Sequence, residues 1–319
     1  MLFLCFLLVA AFPSGILGQT EWGFKSYTKY ETGDMSLIIT VPHGGSKKPT
    51  KQENGDKWPK RTHGCLESNE CVWEHDCGTP DDKRCRAVTV SDSYTATVAR
   101  DIADGINSIT GMRPHVVYNT LKRSKLDTNR EINQATMNVP DAKKAYHDYT
   151  NFINKALSAI PGRGLLLDIH GHGHKIQRTE LGYLIYGSRL DSGNFDLTDS
   201  SIRSLGDVTC GNDNACFKKL IRGKRSLGHF MNQEGLRAVP SPEEPGPMVR
   251  LTGTYFSGGF TVRKYGSKDE GVIDAIQMEF SRELRKNKTA WENSRRKVAR
   301  AIVKFFRLNY DSGIGVNDV

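Results

Sequence analysis

Past its first eighteen residues, the chain has no apolar run approaching the roughly 20 residues that a membrane helix needs, so no span is expected. It has no Cys-x-x-Cys pair, which removes the usual spacing of a four-cysteine zinc site and leaves its cysteines to disulfides. It has no internal repeat and no low-complexity tract, which excludes a solenoid and a disordered linker. Acidic residues are in the minority: 36 Asp and Glu face 45 Lys and Arg, and the formal charge of +9 points to acidic partners.

The first eighteen residues lack any charged side chain. Leu2 to Ala11 is an apolar core of signal-peptide length, and Gly18 precedes a polar shift at Gln19. Residues 1–18 therefore read as a secretory signal, with an uncleaved N-terminal anchor as the alternative. Removing them takes Cys5 away and leaves Cys65, Cys71, Cys77, Cys85, Cys210 and Cys216. An even number in a secreted, extracellular chain implies disulfides. The simplest pairing joins Cys210 to Cys216 and the first four among themselves, in an order that stays open. Asn287-Lys288-Thr289 is the single glycosylation sequon. Basic residues gather between Arg282 and Arg300. Acidic extracellular matrix is a candidate partner there and nucleic acid is not expected; a solvated helix face is the plain alternative.

Residues 19–319, about 300 in all, suffice for one large core or two small ones. Ser36 to Val41, His115 to Tyr118, Leu165 to His170, Leu181 to Tyr186 and Val272 to Phe280 have strand character. Asp92 to Thr110 has helical spacing, with Val98, Ile102, Ile106 and Ile109 on one face and Ser91 as its cap. Pro140 opens a second helix with the stripe Tyr149, Ile153, Leu157 and Ile160. A final helix runs from Thr289 to Leu308. Strands alternating with helices predict an α/β fold with a mixed, mostly parallel sheet. The polar, cysteine-rich stretch at about 55–87 reads as an insert stapled to the surface.

Polar residues stand where strands end, which is where open α/β sheets gather their sites. His43 follows the first strand in Pro42-His43-Gly44-Gly45. Asp168 and His170 close a later strand, and Gln277 and Glu279 lie inside the last. A carboxylate within an apolar strand is costly unless paired or functional, and Arg282 is a possible partner for Glu279. His170, His172 and His174 alternate, so an extended chain turns all three to one side and could present them to a metal. Asp168, two residues before His170, is placed to orient its imidazole.

In order, these segments are Pro42-His43-Gly44-Gly45, Asp127-Thr128-Asn129-Arg130, Asp168-Ile169-His170, Gly258 to Gly266 (GGFTVRKYG) and Ile276-Gln277-Met278-Glu279. Together they resemble the N-formylglutamate amidohydrolase family of the zinc carboxypeptidase-like superfamily, over roughly Ser36 to Leu308. The signal and the cysteines would make this a secreted, eukaryote-type variant. The resemblance implies a single three-layer α/β/α domain of the zinc exopeptidase type and one zinc ion per chain. It also implies His43 and His170 as ligands and Glu279 as general base. Arg130 with Asn129 would polarise the scissile carbonyl or grip a substrate carboxylate, and Arg263 and Tyr265 would contact substrate. Zinc carboxypeptidases take a second ligand three residues after the first histidine, where this chain has Ser46. Asp92 is the candidate third ligand and His172 its substitute. The implied reaction is hydrolysis of an amide in an N-acyl amino acid or small peptide. A catalytically inactive matrix-binding protein and a secreted metallocarboxypeptidase are the alternatives.

Overall fold

The computed structural model describes residues 18–75, 77 and 82–311; nearly all of the proposed signal segment lies outside them. Ten strands occur among the described residues: β1 (Thr20–Trp22), β2 (Thr28–Glu31), β3 (Leu37–Val41), β4 (Cys65–Glu67), β5 (Glu70–Val72), β6 (His115–Asn119), β7 (Gly164–His172), β8 (Thr179–Gly182), β9 (Ala238–Val239) and β10 (Ile273–Ser281). Eight make one sheet in the order β1-β2-β6-β3-β7-β10-β8-β9, while β4 and β5 form a separate hairpin. The central strands β6, β3, β7 and β10 run parallel; β1, β2 and β8 pair antiparallel to their inner neighbours. The fold is α/β with a mixed, mostly parallel sheet between helical layers, as expected.

Side-chain alternation explains the layering. Leu165, Leu167 and Ile169 of β7 pack with Val98, Ile102 and Ile106 of the Thr95–Thr110 helix and with Val298, Ile302 and Phe305 of the Lys288–Asn309 helix. On the opposite face, Leu166, Ile38 and Ala275 pack with Tyr149 and Ile153 of the Pro140–Ser158 helix and with Val262. A central parallel strand is covered on both faces, hence the continuous apolar run. On this second face the chemistry changes along the strand. Leu166 is followed by Asp168, His170 and His172, and Ala275 by Gln277, Glu279 and Ser281. The apolar helix faces pack on the first half; the polar half is buried as well and holds the candidate site.

Three expectations are corrected. The strand read as Leu181 to Tyr186 is β8, Thr179–Gly182. It ends because Leu184 takes a left-handed conformation (φ 66°) and Gly182 lies against the backbone of Gly258. The first helix starts at Thr95 with Tyr94 as its N-cap; Ser91 instead accepts a hydrogen bond from Arg123 N at 3.2 Å. The insert is not wholly superficial, since Trp58 and Arg61 are buried. Its disulfides are Cys65–Cys77 and Cys71–Cys85, and the third joins Cys210 to Cys216. No helix among the described residues is long and apolar enough to cross a membrane.

One buried carboxyl outside the polar half-face sets a pH dependence. Burial pushes Asp274 up to about 6, partly offset by Ser267, Tyr310, the Leu205 amide and Arg163. A folded pKa above the unfolded value of roughly 4 means that the native state binds the extra proton. Its contribution to stability is therefore full below about pH 4 and is lost as pH rises through 6. Asp274→Asn cannot titrate. The stability difference between wild type and variant should shift against the wild type by up to about 3 kcal/mol between pH 4 and 7. Urea unfolding at several pH values measures it, and a flat difference would refute the assignment.

Candidate metal centre

Three loops and two strands bring the polar residues together. His43 follows β3 in a turn that needs its glycines: a Cβ on Gly45 would stand 2.3 Å from the Thr120 carbonyl carbon. The His43 carbonyl accepts from Asp92 N at 3.2 Å, which draws the loop before the Thr95–Thr110 helix against that turn. The sheet register aligns His170 of β7 with Glu279 of β10, and Glu279 with Glu180 of β8. Paired strand residues share a face, so these three form a row across the sheet.

His43 Nδ1, His170 Nδ1 and Asp92 Oδ2 converge. The two nitrogens are 3.2 Å apart, and the oxygen lies 3.4 Å from the first and 3.0 Å from the second. Each imidazole is held from behind by a carboxylate, which can only accept: His43 Nε2 donates to Asp127 Oδ1 at 2.6 Å and His170 Nε2 to Asp168 Oδ2 at 2.8 Å. Those bonds put the ring protons on Nε2 and leave both Nδ1 lone pairs facing Asp92. Three acceptors this close repel one another unless a proton or a cation lies among them. Two nitrogens and a carboxylate oxygen, with outer nitrogens fixed by carboxylates, are a donor set that suits zinc.

The supporting charges are buried too. Burial pushes Asp127 up, but His43, Arg123 and Arg61 outweigh it and hold it well below the usual carboxylate range. Burial likewise opposes Asp92, which His170 and His43 hold low. His170 is disfavoured as a cation by burial, yet Asp168 and Asp92 raise it well above an ordinary histidine. Glu279 is pushed up to about 8, chiefly by burial; His170 lowers it, while Asp92, Glu180 and Asp168 raise it. Its Oε1 lies 4.0 Å from His170 Nδ1 and accepts from Gln277 Nε2 at 3.0 Å. Glu279 Oε2 and Gln277 Oε1 are buried without a hydrogen-bond partner among the described residues.

His43, Asp92, His170, Asp168 and Glu279 thus come together. His172 does not join them: its Nε2 donates to the Arg178 carbonyl at 2.8 Å and its Nδ1 accepts from His174 N at 3.1 Å. The expected alternation of three histidines fails because β7 ends at His172. His174 turns aside to Glu180 Oε1 at 2.9 Å. His172, His174 and Glu180 form a second candidate group for a metal, but both nitrogens of His172 are already occupied there.

Asn129 Oδ1 accepts from Thr261 N at 2.8 Å and Oγ1 at 3.1 Å. Its Nδ2 lies 3.3 Å from His170 Nε2. Gly259 packs directly against it: a Cβ there would stand 2.6 Å from Asn129 Nδ2 and 3.0 Å from Gln277 Oε1, so the close approach needs glycine. Arg130 is half-buried, and one nitrogen donates to the Asn129 carbonyl at 2.7 Å. Arg263 is exposed on the Phe260–Tyr265 helix, while the half-buried Tyr265 packs against the second-face core. Neither contacts the metal donors. Glu279 pairs with Gln277 rather than Arg282. Asn287 is exposed, and its Oδ1 caps the last helix by accepting from Ala290 N at 3.1 Å.

Sequence reasoning missed Asp127 as the anchor of His43, although its motif was noticed. It also missed Arg61 and Arg123, which face that carboxylate at 3.6 and 2.8 Å. Arg285, inside the basic run, is buried and ties the Ser93 and His172 carbonyls together. The one signal in the sequence was an Asp two residues before an Asn-Arg pair; the arginines carry none.

No family model matches the chain, and no curated protein does. Among solved structures it is similar to an N-formylglutamate amidohydrolase from Ralstonia eutropha JMP134, at 11% identity over 88% of this chain and 96% of that one, with a TM-score of 0.46. It is similar to the succinylglutamate desuccinylase of Chromobacterium violaceum at 11% identity, covering 96% of this chain and 76% of that one (TM-score 0.38). It is also similar to the CwlD amidase of Clostridioides difficile, solved with the GerS lipoprotein, at 12% identity over 85% and 98% of the chains (TM-score 0.31). At such identity the chemistry has to be argued from the side chains themselves.

Proposed function

We propose that this chain is a secreted, zinc-dependent hydrolase of an amide bond in an N-acyl amino acid or small peptide. One observation carries the reading: the lone pairs of His43, His170 and Asp92 converge, with both outer nitrogens on carboxylates, beside a buried glutamate that has an unpartnered oxygen. His43, His170 and Asp92 would hold the ion. A zinc ion there supplies Lewis acidity, polarising water and carbonyl oxygens and favouring the ionised form of a nearby carboxyl. Glu279 takes the proton from attacking water and delivers it to the departing amine. Gln277, donating to Glu279 Oε1, fixes the orientation of that carboxylate. Gln277 Oε1, buried next to Glu279 and unpartnered among the described residues, is an acceptor that a substrate N–H can use. Arg130 can grip a substrate carboxylate with its remaining guanidinium donors. Three disulfides support an oxidising, extracellular setting, and residues 19–319 act as one domain.

The purified protein should contain about one zinc per chain and hydrolyse members of a panel of N-formyl, N-acetyl and N-succinyl amino acids and dipeptides. Activity should be lost on chelation and return with zinc. Removal of C-terminal residues from longer peptides would instead mark a carboxypeptidase. No metal even after zinc is supplied would remove the hydrolase reading and leave a binding protein on the same fold.

A further inference from the structure

The positive charge of this protein is unevenly countered. In the helical run from Arg282 to Arg300, Arg285 is buried on backbone carbonyls and Arg300 pairs with Glu234 at 2.7 Å, while Arg295 and Arg296 stand exposed along one helix without an acidic partner among the described residues. The insert is different: between it and the loop after β6 lies a cleft of about 530 Å³. Lys60, Lys83 and Arg86 line it, are exposed, and have no acidic partner among the described residues. The one acid lining it among the described residues, Asp82, is taken by Arg84 through contacts of 2.8 to 3.2 Å. Beneath the cleft lies the buried guanidinium of Arg61, locked onto the Gln134, Val88 and Arg123 carbonyls. Hydroxyls of Thr62, Thr89 and Ser124 complete the wall.

The charge continues past the rim. Lys48 first, and Lys60 as well, press on the half-buried Lys122 and lower its pKa. Like charges held together without counter-charge destabilise the free protein and are relieved by a bound polyanion. Arg86, Lys83 and Lys60 at the cleft, with Lys122 and Lys48 beyond them, are more positive groups than one small anion can use, so the surface fits a polymer. Among the described residues His63 is the one ring that lines the cleft, with no Phe, Tyr or Trp, so it lacks the succession of stacking platforms on which single-stranded nucleic acid relies. The cleft is built by a segment closed by two disulfides, which belong to oxidising compartments, where polyanions are chiefly sulfated polysaccharides.

We propose that the cleft under the disulfide-stapled insert binds a sulfated polysaccharide, with Lys60, Lys83 and Arg86 contacting successive sulfates. This is separate from hydrolysis and does not depend on it.

The test uses the full secreted protein and a heparin octasaccharide, titrated at several salt concentrations. The Lys60→Ala/Lys83→Ala/Arg86→Ala variant should bind at least about tenfold more weakly near 0.15 M salt, with the slope of log Kd against log salt reduced by roughly two. The Arg295→Ala/Arg296→Ala/Lys297→Ala variant on the last helix should bind as wild type does. Lys60→Arg/Lys83→Arg keeps the charge and should retain affinity, so loss through misfolding is told apart from loss of contacts. The proposal is overturned if wild type does not bind the octasaccharide, if the cleft variant binds unchanged, or if the helix variant carries the loss. Equal affinity of wild type for a single-stranded oligonucleotide of the same charge would also overturn it.

Discussion

Glu279→Gln is expected to lower kcat about a thousandfold while zinc stays bound, within the roughly 10²–10⁴ that a positioned general base contributes. The substitution keeps shape and burial. Its amide oxygen still accepts from Gln277 Nε2, which now reaches Glu279 Oε1 at 3.0 Å. What it loses is the ability to take a proton. The carboxylate stands 4.0 Å from His170 Nδ1, outside the 3.0–3.4 Å triangle of His43, His170 and Asp92, so metal content should not change. Turnover of the best substrate from the acyl amino acid panel, measured beside metal content, decides. Full turnover with zinc present would place the base elsewhere; loss of zinc would make Glu279 a ligand.

The double variant His43→Ala/His170→Ala should weaken zinc binding by more than about a thousandfold and abolish hydrolysis. It removes both nitrogen donors, and even a partner behind a ligand is worth about 10–100-fold. It also takes from Asp127 and Asp168 the buried imidazole N–H donors that they accept from, so the fold should weaken by several kcal/mol. Asp168→Asn separates the two effects. It keeps both rings but removes the carboxylate that accepts from His170 Nε2 at 2.8 Å. Zinc affinity should fall about 10–100-fold, with the fold intact by circular dichroism. Unchanged zinc content in the double variant would move the site away from these residues.

The parts of this site that could be read from the sequence are those set by the ends of strands. His43, Asp168, His170 and Glu279 interrupt or end apolar runs, and an ionisable residue in a buried strand is kept there against its desolvation cost only by a partner or a task. Asp92 was legible only through the resemblance, because its loop is brought in by one backbone hydrogen bond to His43. Asp127 was harder still, since it meets His43 across 84 positions. The central parallel strands were legible from their β-rich runs. β1 and β2 were not, because Thr20–Trp22 and Thr28–Glu31 mix polar and aromatic residues with no long apolar run. Short helices such as Arg203–Cys210, Asn214–Arg222 and Leu227–Gln233 were not legible, since about two turns give periodicity little room to show itself.

The spacing of the metal donors has a consequence for how the chain folds. His43 and His170 lie 127 positions apart and meet only when β3 and β7 are neighbours. In a zinc finger the ligands share one short loop, and the ion can seed the structure. Here the large loops must close first, against their entropy, before the donors exist as a set. A zinc ion held by these donors would therefore act on a finished molecule. It would deepen the native basin by mass action and slow escape from it, without quickening the approach. Such an ion would be a removable part of the fold and not its nucleus.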